Sequence, residues 1–189
     1  SNLPAIVNYA NGIVNLAGGT VTGNNNNVIY NVGNGSINIT RGTVTATGNS
    51  GAVAIVNNAG GNISISGATI RSSGNGVINE EDGTITINGA TITGAGNNNP
   101  AVVNAGTGEI EIKSANITTN SSNAVVNNSS GNIRITSDNV TITGGNTIVV
   151  ANTSNGTIDI EAGTITGGST NVVYNSGAGT INIGSATIN

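Results

Sequence analysis

The sequence predicts an all-β protein: a right-handed parallel β-helix of eight coils of about 23 residues, with three short strands per coil. Three observations predict it. An Asn recurs at Asn8, Asn31, Asn57, Asn79, Asn104, Asn127, Asn152 and Asn175, so that one phrase is repeated eight times. Four residues after each Asn stands a Gly: Gly12, Gly35, Gly61, Gly83, Gly108, Gly131, Gly156 and Gly179. Six residues after each Asn begins an alternating aliphatic pair, such as Ile37 and Ile39, and a further aliphatic such as Val44 comes five residues after the second of these. A repeat of this length is one supersecondary unit that buries its apolar face only by stacking on its neighbours.

Within each phrase the first strand ends at the Asn, as in Val28–Asn31 or Val172–Asn175. The second is the Gly-x-Ile-x-Ile run, and the third reads Thr-Ile-Thr or Thr-Val-Thr. All three are rich in β-branched residues with period-two alternation, the pattern of a half-buried strand. Gly or Asn lies between them, where the chain must turn tightly. The invariance of the Gly column suggests a left-handed backbone conformation at the second bend, which Gly adopts without steric cost. One phrase departs from the spacing: two extra residues separate Ile135 from Ile142 in the stretch 137–140. These must leave the ladder as a bulge or a wider bend.

Alternation assigns the interior. It takes Ile6, Ile29, Ile55, Val77, Val102, Val125, Val150 and Val173 from the first strands, two aliphatics per coil from the second and one from the third. There is no Phe, Trp, Met, Cys or His, so the core must be aliphatic throughout. The regular Ile and Val columns argue against the disorder that a Gly/Asn/Ser/Thr-rich composition would otherwise suggest. The whole chain, 1–189, is read as a single solenoid domain. It does not start with Met, and is read as a mature segment or a piece of something longer. A net charge of −4 from 8 acidic and 4 basic residues gives no footprint for nucleic acid. No apolar run approaches the roughly 20 residues of a membrane-spanning helix. No cofactor is expected.

The Asn column points inward at a bend, where stacked amides bond along the axis as in other cross-β ladders. The alternative is that each side chain caps its own bend in an Asx-turn. Three outer faces follow. The first carries Val7, Tyr30, Val56, Ile78, Val103, Val126, Ala151 and Tyr174 in one column, beside Ala5, Val28, Ala54, Ala101, Ala124, Val149 and Val172. Read as outward, it is an exposed apolar strip, and strips of that length mark contact with a partner. The second face is polar and carries Glu111, Arg134 and Asp159 in one column of successive coils, a surface ion-pair ladder of small energetic value. The carboxylate pairs Glu109 with Glu111 and Asp159 with Glu161 are the only arrangement suited to glycoside hydrolysis. They come with no aromatic sugar platform, so the chain is read as not an enzyme. Glu80, Glu81 and Asp82 occur in one coil only and are read as a solvated turn, not a cation site.

The third face is a Thr-x-Thr column. It contains Thr20 and Thr22, Thr43 and Thr45, Thr91 and Thr93, Thr141 and Thr143, and Thr164 and Thr166. Thr fills thirteen of its sixteen positions, the exceptions being Arg71, Asn116 and Asn189. Threonine is a favourable outward strand residue. Two Thr along a strand lie ~6.7 Å apart and neighbouring coils ~4.8 Å. This motif resembles the flat threonine faces of insect antifreeze solenoids, which implies ice binding as an alternative function.

The phrase as a whole, from the apolar run before the Asn to the closing Thr-Ile-Thr-Gly, resembles the repeats of bacterial secreted right-handed β-helix proteins: surface adhesins, autotransporter passengers and polymorphic outer-membrane proteins. The resemblance spans the chain. It implies an extracellular, cell-surface protein with a structural or adhesive role, self-assembling into a filament or forming part of a stalk. Its implied partners are copies of itself, stacked end to end or laterally, a flanking solenoid, a host surface or a glycan. The same fold hosts pectin lyases and tailspike hydrolases, whose Asp, His and basic site residues have no matching cluster here.

Overall fold

The computed structural model describes residues 3–24, 26–49, 51–94 and 98–189. These contain strands, turns and bends and no helix. The strands wind into a β-solenoid in which every pairing is parallel and joins one coil to the next. The second coil shows the unit: Ile29–Asn31, Ser36–Ile39 and Gly42–Thr47. The first strands of all eight coils form one eight-stranded sheet, from Ile6–Asn8 to Val173–Asn175. The second and third strands share a fourteen-stranded sheet. They share it because Thr84–Gly94 and Glu109–Thr119 each run through both segments as one strand. These two coils therefore have two strands each where the sequence reads three. Register shifts at Ile87/Asn88 and Asn88/Ala90 take up the corner as a bulge.

The columns read from the sequence are columns in space. Ile37, Ile63, Ile85, Ile110, Ile133, Ile158 and Ile181 follow one another in register along the axis. Ile29, Ile37, Ile39 and Val44 of the second coil are fully buried, as are their counterparts through the middle of the stack. Ile6 and Val173, in the first and last coils, are half-buried. The core is a stack of β-branched side chains with no aromatic ring, so each one contacts its like above and below. Truncating Ile87 to Ala, which leaves a cavity between Ile65 and Ile112, should cost about 2–5 kcal/mol in a urea melt.

The insertion at 137–140 is absorbed as a turn at the corner. The Val140 amide donates to the Ser137 carbonyl at 3.1 Å, and the Asn139 amide to Ser137 Oγ at 3.2 Å. Pairing then resumes in register, with Val140 opposite Ala115 and Ile142 opposite Ile117. Val140 fills the column that small residues occupy elsewhere, and is fully buried.

The invariant Gly column has a different cause from the one its sequence suggests. None of its members is among the glycines with positive φ. Those sit mainly at the next corner, before the third strand: Gly19, Gly42, Gly67, Gly89 and Gly163. In the invariant column the restriction is proximity. A Cβ on Gly61, Gly83, Gly131, Gly156 or Gly179 would lie less than 3.0 Å from the carbonyl oxygen of the equivalent Gly in the preceding coil and from an Asn side-chain nitrogen of that coil. The glycines are kept bare so that the backbone can close against the coil beneath.

Candidate functional site

The Asn column is the internal device on which the surfaces are built. Seven hydrogen bonds link the eight side chains in sequence. In each, the Nδ2 of one coil donates to the Oδ1 of the next, from Asn8 to Asn31 at 3.0 Å up to Asn152 to Asn175 at 3.2 Å. The second amide hydrogen is used locally. Nδ2 of every ladder Asn also donates to the carbonyl of the Gly four residues on, for example Asn57 to Gly61 at 2.9 Å and Asn127 to Gly131 at 2.8 Å. The ladder reading is thus realised; the local bond caps each bend too, but by donating Nδ2 to a carbonyl and not through the Oδ1 acceptance of an Asx-turn. Asn31, Asn57, Asn79, Asn104, Asn127 and Asn152 are fully buried, and each satisfies both donors and its acceptor inside the stack. An Asp could not donate and a Ser could not reach both partners, so the position needs an amide.

The expected exposure of the first face fails at most of its positions. Val56, Val103, Val126 and Ala151 are buried, the last only 1% exposed. Each is flanked in register by apolar neighbours, Val56 by Tyr30 and Ile78, and Val126 by Val103 and Ala151. Tyr30 is further held by Asn58, whose Nδ2 donates to its hydroxyl at 2.7 Å. Val7 and Ile78 are half-buried, and Tyr174 is 40% exposed. The companion column is not outward in the middle coils, although Ala5 of the first coil is exposed and Val172 of the last is half-buried. Val28, Ala54, Ala101, Ala124 and Val149 are fully buried in the core. A bend at these residues breaks the alternation, so both they and the residue after them face inward. The space for them comes from small neighbours at the third corner: a Cβ on Gly23 would meet Val28, and one on Gly144 would meet Val149, each inside 3.0 Å.

On the second face Glu111, Arg134 and Asp159 are register partners, as their spacing indicates. The Arg134 ion pairs run diagonally, and Lys113 pairs along its own strand, instead of following the column. Arg134 Nη2 lies 2.7 Å from Glu161 and Nη1 3.9 Å from Glu109, while Lys113 pairs with Glu111 at 2.9 Å. Asp159 accepts a hydrogen bond from Asn182 Nδ2 at 2.6 Å. The hydrogen bond and charge of Glu161 raise the pKa of the Arg134 guanidinium above its ordinary value. Partial burial, with Glu81 adding to it, raises the pKa of the Glu80 carboxyl. Among the described residues no group of three or more Asp, Glu, His or Cys is placed to hold a metal ion.

The third face is the most regular surface of the molecule. One rank runs Thr20, Thr43, Thr69, Thr91, Asn116, Thr141, Thr164, Thr187; the other runs Thr22, Thr45, Arg71, Thr93, Thr118, Thr143, Thr166. None of these side chains is buried. The threonine hydroxyls of both ranks make no hydrogen bond within the described chain, in contrast with Thr47, Thr119 and Thr153, which bond to neighbouring coils or loops. Their donors and acceptors face solvent.

No family model, no curated protein and no solved structure matches this chain.

Proposed function

We propose that this chain is a structural rod of an extracellular, cell-surface protein, with an adhesive or spacer role and no catalytic one. What carries the reading is the unbroken ladder. Backbone pairing, aliphatic columns and Asn amides pass through all eight coils; the register shifts at Ile87/Asn88 and Asn88/Ala90 are confined to one corner, and the insertion at 137–140 is absorbed within four residues. A stack of this kind transmits load along its axis through parallel hydrogen bonds and holds its surfaces at fixed spacing. Such a rod is lengthened by further coils in the same chain or by contact with a second copy. Immunogold labelling of intact cells of the source organism tests the location. Label on unbroken cells supports the rod reading, and label only after lysis contradicts it.

A second reading, ice binding, is favoured by one observation: among the described residues the threonine hydroxyls of two straight ranks make no hydrogen bond. If the face binds ice, micromolar protein should show thermal hysteresis and ice shaping. Thr93→Lys should abolish most of the effect, whereas Thr86→Lys on the second face should leave it. No hysteresis and no shaping in the unsubstituted protein would remove this reading.

A further inference from the structure

Charge is segregated along the axis. All eight acidic residues lie between Glu80 and Glu161, while residues 1–79 carry Arg41 and Arg71 and no acid. Of the four cations, Lys113 and Arg134 are engaged by carboxylates of the second face. Arg41 and Arg71 are both exposed, and among the described residues neither forms an ion pair. Arg71 belongs to the third face and Arg41 to the corner that leads into it. Arg71 stands in the threonine rank between Thr45 and Thr93. Arg41 precedes Gly42 at the adjoining corner, opposite Gly67 of the next coil, where a Cβ would meet Arg41 Cγ at 3.9 Å, ordinary contact. The two arginines are one coil apart along the axis, ~4.8 Å, and are set apart across the strand direction by the corner at Gly42 and the Thr43–Thr45 segment.

We propose that coils two to four of the third face, with the corner at Arg41, bind an anionic polysaccharide, Arg41 and Arg71 each holding one acidic group and the hydroxyls of Thr43, Thr45, Thr69 and Thr93 exchanging hydrogen bonds with sugar hydroxyls. The guanidinium forks suit carboxylate or sulfate groups in bidentate contact. The wide spacing of the two cations suits a polymer whose charges are spread out, one per sugar or per disaccharide. A nucleic acid fits poorly. Its charge is dense, the protein is net negative, and none of the three tyrosines, Tyr9, Tyr30 and Tyr174, lies on this face to stack a base. The proposal deepens the adhesive side of the rod reading by giving it a ligand class. It concerns one patch, so it can fail while the rod reading stands.

The test is binding of a hyaluronate oligosaccharide, titrated against the folded chain at low salt, with neutral dextran and single-stranded DNA of similar length as comparators. Hyaluronate should bind, binding should weaken as salt rises, and the Arg41→Gln/Arg71→Gln double variant should bind about tenfold more weakly or worse, since charge-assisted hydrogen bonds are lost. Both side chains are exposed, so the double variant should melt as the unsubstituted protein does. Thr45→Val should weaken binding further in the arginine-containing protein by removing a hydroxyl and keeping the shape. Equal binding of dextran, tighter binding of DNA, no binding of hyaluronate, or a double variant that binds like the original protein would each overturn the proposal.

Discussion

Gly83→Ala should destabilise the solenoid by about 3 kcal/mol or more, the upper range for overpacking a filled interior. The added Cβ would lie inside 3.0 Å of the Gly61 carbonyl, the Asn57 side-chain nitrogen and the Ala59 carbonyl. Two of these are backbone atoms of the coil beneath, which cannot rotate away. The coils would have to part at this point, breaking the Asn57–Asn79 bond of 2.9 Å beside it. Gly12→Ala is the matched control. It occupies the same column, but a Cβ there would meet only Asn8 Oδ1 at 3.6 Å, ordinary contact. The two variants should therefore differ sharply in urea denaturation, with Gly12→Ala close to neutral. If both lose the same stability, the column is set by local backbone conformation and not by the approach of the neighbouring coil.

Asn104→Ala should cost about 2–4 kcal/mol, because two buried groups lose a partner at roughly 1–2 kcal/mol each. Asn79 Nδ2 loses its axial acceptor at 3.1 Å and Asn127 Oδ1 its donor at 3.2 Å, while the Gly108 carbonyl gives up a bond of 3.0 Å and keeps the Asn132 amide at 3.1 Å. Asn104→Asp should be no better. A carboxylate accepts from Asn79 but faces the Asn127 and Gly108 oxygens with nothing to donate. The comparison is Asn116→Ala, at an exposed site in the threonine rank, which should change stability by less than about 0.5 kcal/mol. Thermal or urea melts of the three variants decide the matter.

Much of this architecture was legible because parallel coils turn sequence columns into spatial columns. The Ile pairs and the Asn ladder needed only a count of residues between repeats. Three features were not legible. The invariant Gly could be explained by its own φ or by a neighbour's proximity, and sequence holds no distances between coils; Gly83 is bare because of Gly61 and Asn57. The first face was assigned by strict alternation, but a bend at Val28, Ala54 and their equivalents turns two successive residues inward. The partners of Arg134 were read along its column, yet a long flexible guanidinium reaches diagonally to Glu161, two residues beyond its register partner Asp159. In contrast, the threonine ranks of the third face lie where the spacing put them, because Thr-x-Thr is short, straight and uninterrupted by a bend.

The account rests on a buried, axial amide ladder that ties eight coils into one rod. Hydrogen exchange of the Asn side-chain amides, resolved by NMR, tests it most directly. The Nδ2 hydrogens of Asn31, Asn57, Asn79, Asn104 and Asn127 should exchange slowly, close to the rate of global unfolding, since both are bonded and fully buried. Those of the exposed Asn116 and Asn128 should exchange rapidly. Ladder amides that exchange as fast as Asn116 would contradict the structure described.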